Sequence, residues 1–221
     1  MRQLPPKYQE IEAQLHRAAF PQADALPYLD SLQIKTVINL SREYVPTPIT
    51  NHWANNNIRI INVGLQTWSH PRAMPVSDEL VKIALELMLD RNNHPLLVVS
   101  SSGTHQVGGL VGCLRRLQHW SIAAILNEYR SFSAPQPRVQ YEQYIESWAL
   151  DLIQLPPSLP AWFERDQQLL ADDMLEWRRL CAQRRSGDDV DPETAEYFRV
   201  SGRLCSVGVS AMTTVRNVID D

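Results

Sequence analysis

The residue types that could do chemistry are concentrated in residues 97–109, LVVSSSGTHQVGG. Hydroxyls stand at Ser100, Ser101, Ser102 and Thr104, an imidazole at His105 and a carboxamide at Gln106, punctuated by Gly103, Gly108 and Gly109. An apolar strand that passes through a glycine-containing turn into a helix aims backbone N–H groups and the positive end of the helix dipole at one spot, an arrangement suited to a phosphate. The run is not a nucleotide-binding P-loop, because Gly109 and Leu110 follow Gly108 where Lys and Ser or Thr would hold phosphate and magnesium. Nor is it a G-x-S-x-G nucleophile elbow. Ser100 as a nucleophile would need a base; His105 is nearby, but no Asp or Glu adjoins it, so a working Ser100–His105 pair is not expected.

Positioning such a loop takes a sheet and helices. Short β-branched runs alternate with helical patterns through the first half, the rhythm of an α/β fold with a central, mostly parallel sheet flanked by helices. Strands are predicted at residues 36–40, 58–63 and 96–99, the last leading into the loop. Ser77 reads as the N-cap of a helix that begins with Asp78 and Glu79 and buries Leu80, Ile83, Ala84, Leu87 and Met88. Beyond the loop, Leu110, Val111, Leu114 and Leu117 keep helical spacing. Ser121 caps a second helix buried through Ile122, Ile125, Leu126 and Tyr129, and Tyr141, Tyr144, Ile145 and Trp148 mark a third.

These elements predict one domain over residues 1–154. Residues 155–221 form a linker, beginning LPPSLP, and a helical, partly mobile extension. In the extension, Phe163, Leu170, Met174, Trp177 and Cys181 lie on one helical stripe, to be covered by the chain's own core or by a partner protein, and the run RRSGDDVDPE from Arg184 is polar.

Composition excludes several classes. A net charge of −4 over 221 residues, with Lys and Arg dispersed, disfavours nucleic acid as a partner. No apolar run reaches membrane-spanning length and the N-terminus lacks secretory-signal features, so a cytoplasmic protein is expected. Cys113, Cys181 and Cys205 show no C-x-x-C pairing, which suggests neither a disulfide framework nor a metal site.

The loop resembles the atypical dual-specificity phosphatases of plants and fungi, the group containing the yeast oxidant-induced cell-cycle arrest proteins, where it typically reads His-Cys-Asn-x-Gly-Lys-His-Arg-Thr-Gly. Here Val99, Ser100, Ser101, Thr104, Gln106 and Val107 stand in place of the family's His, Cys, Asn, Lys, Arg and Thr, and Gly103, His105 and Gly108 match. The segments HRAAFP (16–21), LQIKTVINL, LMLDRNNHPLLVV and LVGCLRRLQHWSIAAILNEYRSF also have family counterparts, and the resemblance covers about residues 10–150. It implies a cysteine-phosphatase fold without cofactor or metal. In the family's mechanism a thiolate attacks phosphorus and an arginine clamps the phosphoryl oxygens; Ser100 and Gln106 supply neither thiolate nor guanidinium. The implied protein is a pseudophosphatase serving as scaffold or regulatory subunit, with a protein partner such as an active or inactive relative. The alternatives are a module that binds phosphate, inositol phosphate or phosphoprotein through loop amides, Ser101, Ser102 and Thr104, and residual activity on phosphotyrosine or inositol pyrophosphate. Arg17, Trp68, His70, Arg72 and Asp78 are rim candidates, although Arg17 also reads as a packing residue and Asp78 as a helix-start acid.

Overall fold

The computed structural model describes residues 3–66 and 76–186, with side chains as far as Arg179. Five strands, β1 (Gln9–Glu12), β2 (Leu15–Ala19), β3 (Thr36–Asn39), β4 (Arg59–Asn62) and β5 (Leu96–Ser100), form one sheet in the order β1-β2-β5-β3-β4. All neighbours are parallel except β1 and β2, which run antiparallel. The expected strands are present within a residue or so of their predicted ends, and β1 and β2 are additional. β2, LHRAA, escapes a hydrophobic-pattern search because two of its five buried positions are His16 and Arg17.

Helices α1 (Leu26–Ser31), α2 (Thr47–Asn55), α3 (Val63–Gln66), α4 (Asp78–Leu89), α5 (His105–Leu117), α6 (Ile122–Ser133) and α7 (Val139–Ser147) complete the sheet-bearing unit. Part of the core is formed by Val37, Leu97, Val99 and Ala18 of the sheet with Ile49 and Trp53 of α2. The predicted caps form: Ser77 Oγ accepts from Leu80 N–H at 3.2 Å and Ser121 Oγ from Ala124 N–H at 3.3 Å. Two burial expectations need correcting. In α4 the deepest face is Leu80, Val81, Ala84, Leu85, Met88 and Leu89, with Ile83 and Leu87 half-buried; in α6, Ile122 is exposed because it sits in the first turn.

The chain divides into two compact units after Pro160. The LPPSLP segment lies within the first unit, where Ser158 C=O accepts from Arg91 N–H at 2.9 Å; just ahead of it Gln154 N–H donates to Glu86 Oε1 at 3.0 Å. The second unit begins with α8 (Ala161–Ser186). On its expected stripe Phe163 is buried, Leu170 and Met174 are half-buried and Trp177 is exposed, so the stripe is not uniformly covered. The Cys181 side chain and the polar run beyond Ser186 lie outside the described residues. Among the described residues no helix is long and apolar enough to cross a membrane.

Candidate functional site

Parallel strands carry ligand sites at their carboxyl ends, where the connecting loops converge. Here the segments after β3 and β5 meet. Ser101 N–H donates to Ser41 Oγ at 2.7 Å, and Ser41 Oγ lies 3.4 Å from Ser101 Oγ. The β3 side is held by Asn39, whose Oδ1 accepts from Ser41 N–H and whose Nδ2 donates to the Glu43 carbonyl and to Asn62 Oδ1. Between these segments and the start of α7 lies a pocket of about 230 Å³. Ser101, Ser102, His105 and Gln106 line it from the loop and α5, Ser41, Arg42 and Glu43 from the segment after β3, and Arg138 and Tyr141 from the far wall.

The loop bends at Gly103, whose φ of +66° suits glycine; a Cβ there would fall 2.4 Å from Ala19 N. That close approach lays the inner face of the loop on β2. At the start of α5, Gly108 lets the helix meet the Tyr129 ring, which a Cβ would approach to 2.8 Å.

Ser100 is buried and does not line the pocket. Its Oγ accepts from Gly103 N–H at 3.0 Å, and among the described residues no imidazole or carboxylate bonds to it. Gln106 turns its amide into the protein, with Nε2 donating to the Leu40 carbonyl at 3.1 Å. Loop amides expected to face a ligand are partly consumed by the protein itself, that of Ser101 by Ser41 Oγ and that of Gly103 by Ser100 Oγ. Thr104 is not a lining residue; its Oγ1 is 2.7 Å from Ser102 Oγ.

His105 is fixed by aromatic neighbours. Its Nδ1 lies 2.9 Å from the Tyr129 hydroxyl, and its ring stacks on Tyr141 with centroids 5.3 Å apart. The Tyr129 oxygen accepts from Arg138 N–H at 3.2 Å, and the nearest acceptor for its own proton is His105 Nδ1 rather than the Arg138 carbonyl at 3.4 Å. On this assignment from the network, neutral His105 carries its proton on Nε2. Burial, then the charge of Arg138, holds the imidazole below its ordinary pKa, in keeping with a neutral ring. A ring protonated on Nε2, with Nδ1 occupied, is a donor and not a base.

The rim expectations are revised by packing. Arg17 is fully buried beneath the loop, donating from Nη2 to the Gly103 carbonyl at 3.2 Å, and is no part of the pocket wall. Asp78 Oδ1 accepts from the Tyr144 hydroxyl at 2.9 Å and is not among the lining residues. Trp68, His70 and Arg72 lie outside the described residues. Sequence reasoning missed Ser41, Arg42, Glu43 and Arg138 as pocket residues, and read Tyr141 as core alone. A usable signal existed in Arg42 and Glu43 immediately following a predicted parallel strand. Among the described residues no cluster of His, Cys, Asp and Glu is arranged to hold a metal.

The mostly parallel sheet, the glycine-bent loop feeding α5 and the pocket at the strand ends define a cysteine-phosphatase fold. The chain belongs to the tyrosine phosphatase family, whose model matches residues 4–165. It is 34% identical over 169 residues to a putative tyrosine-protein phosphatase, OCA1, of Debaryomyces hansenii, covering 73% of this chain and 86% of that protein. Identity to the inositol diphosphatase DSP4 of Arabidopsis thaliana is 29% over 153 residues, covering 69% and 77%. Among solved structures, the core catalytic domain of the PP-IP phosphatase SIW14 of S. cerevisiae superposes with a TM-score of 0.62 at 30% identity, over 67% of this chain and 88% of that one.

Proposed function

We propose that the chain is a phosphatase-fold protein that holds a phosphate-type anion without turning it over, acting as a regulatory or scaffold subunit in phosphate signalling. The observation that carries this reading is the joint state of Ser100 and Gln106. A hydroxyl attacks phosphorus only when a base removes its proton, and Ser100 Oγ has Gly103 N–H as its partner, which stabilises an oxygen but accepts no proton. His105 is held as a donor. The clamp position is a neutral amide already spent on Leu40 C=O, so the bidentate, charge-assisted grip of a guanidinium has no equivalent there. What remains suits binding: Arg42 and Arg138 line the pocket with the Ser101 and Ser102 hydroxyls, beside the N-terminus of α5.

A second reading, residual hydrolysis of an inositol pyrophosphate, is favoured by the names of the Arabidopsis and yeast relatives. One experiment separates the two. Phosphate release from an inositol pyrophosphate and from a phosphotyrosine peptide is measured for the full chain, for Ser100→Ala and for the Ser100→Cys/Gln106→Arg double variant. Parent release indistinguishable from Ser100→Ala, together with a thermal shift on adding inorganic phosphate, is expected. Parent release that Ser100→Ala abolishes would establish the hydrolytic reading instead.

A further inference from the structure

Arg17 stands out among the polar side chains that the catalytic comparison leaves unused. It is fully buried on β2, in register with Val98 of β5, and its guanidinium carbon lies 4.1 Å from the centroid of the Phe132 ring. Nη2 bonds the Gly103 carbonyl, whereas Nε and Nη1 have no hydrogen-bond partner. Burial lowers its pKa to about 10, which still leaves it charged at neutral pH, and the nearby carboxylate that favours that charge, Glu128, is bonded to Arg115 instead. A buried cation served by one carbonyl and one ring is costly, and an apolar side chain of similar size would fill the space without that cost.

We propose that Arg17 is the positioning residue of the anion site: from beneath the loop it turns the Gly103–Thr104 peptide so that the Thr104 N–H faces the pocket, and it sets a positive charge behind the bound anion. The inference rests on the reading that the pocket takes a phosphate-type anion. In a trans peptide the C=O and the following N–H point in opposite directions, and the cis bonds among the described residues are His94–Pro95 and Ala134–Pro135. Holding the Gly103 carbonyl inward on Arg17 therefore sends the Thr104 N–H outward. It points to Ser102 Oγ at 3.4 Å, and Ser102 is a pocket-lining residue. The contact is long, so that amide stays ready for a better acceptor. Arg17 thus supplies from behind the loop part of the positive charge that Gln106 no longer supplies from within it. An anion in front of the loop is the counter-charge that the protein itself does not give Arg17.

The test uses the full chain and sulfate, whose charge is constant over the neutral range, with calorimetry and the Thr104 amide resonance as readouts. The parent is expected to bind sulfate and to shift the Thr104 amide. Arg17→Met is expected to weaken binding by about tenfold or more, equivalent to about 1.4 kcal/mol, and to lose the shift. Arg17→Lys keeps the charge without the planar fork; its expected affinity is intermediate and its Thr104 shift smaller than the parent's. Equal affinity in the parent and Arg17→Met would overturn the role of Arg17 alone, whereas no sulfate binding by the parent would overturn it together with the anion reading. Should Arg17→Met fail to fold, Arg17→Lys decides, since a parent-sized Thr104 shift and affinity in that variant would also overturn the proposal.

Discussion

Two buried arginines, Arg17 and Arg115, sit on either side of a difference between holding a fold and holding a site. Arg115, on α5, is almost completely enclosed, yet every part of its guanidinium is answered. It pairs with Glu12, donates from Nε to Glu128 Oε2 at 3.2 Å, from Nη1 to Gln118 Oε1 at 2.8 Å and from Nη2 to the Ile11 carbonyl at 3.1 Å, and lies 4.1 Å from the Trp120 ring centroid. That network ties β1, α5 and α6 together. Arg17 is more deeply enclosed and has one hydrogen bond, to the loop. Complete satisfaction marks a cation that stabilises the native state. Incomplete satisfaction beneath the loop leaves Arg17 with N–H groups that the proposed anion site would put to use.

The contrast can be broken most directly at Arg115. Arg115→Met leaves Glu12 and Glu128 beside an apolar chain, and a loss of about 3 kcal/mol is expected in urea denaturation; a change under about 1 kcal/mol would show that the network is not structural. Gly103→Ala comes next. It places a Cβ against Ala19 N at a left-handed φ, so a cost of about 2 kcal/mol is expected with loss of the sulfate-induced Thr104 shift, and unimpaired stability would show that the loop does not press on β2.

Acidification compares the two regions through their histidines. Burial holds the folded pKa of His105 by the loop and of His119 just beyond α5 below the ordinary value, as it does for His16 and His94. The unfolded chain therefore binds more protons as pH falls through the ordinary histidine value of about 6.5, and stability is lost from there downward. Denaturation midpoints should be lower at pH 5.5 than at pH 7.5, and His105→Gln and His119→Gln should each flatten that dependence. A midpoint that rises on acidification would contradict the assignment of neutral buried rings. The smallest effect sharpens the opening contrast: Arg17→Met should stay within about 1 kcal/mol of the parent in stability while its sulfate affinity falls, and a destabilisation as large as that of Arg115→Met would make Arg17 structural after all.

Much of this architecture was legible because local rules govern it. Ser77 and Ser121 read as caps since a hydroxyl ahead of an apolar helical repeat has one good use, and the structure places both at helix starts. β3, β4 and β5 were visible in their β-branched runs. β2 was not, because a buried strand carrying His16 and Arg17 departs from every hydrophobic template; His16 Nδ1 meets the Tyr8 hydroxyl at 3.1 Å, while Arg17 Nη2 reaches the Gly103 carbonyl, 86 residues away in sequence. The same distance hid the pocket. The loop residues Ser101, Ser102, His105 and Gln106 were anticipated, but Arg42 and Glu43 come from a segment that β3–β5 pairing brings alongside, and Arg138 and Tyr141 come from the start of α7, which packs on α5. Asp78 had a reading as a helix-start acid, and its bond to Tyr144 keeps it engaged on α7.

The sequence by itself determined the fold class and the family, and it set a hydroxyl at Ser100 and a carboxamide at Gln106, since residue identity is independent of folding. Only the tertiary structure decided what the survivors do. Hydrogen-bond partners from other elements turned Gln106 toward Leu40, engaged His105 Nδ1 with the Tyr129 hydroxyl and put Arg17 behind the loop instead of on its rim. Those outcomes depend on which groups meet at 3 Å after folding, and no spacing along the chain encodes that.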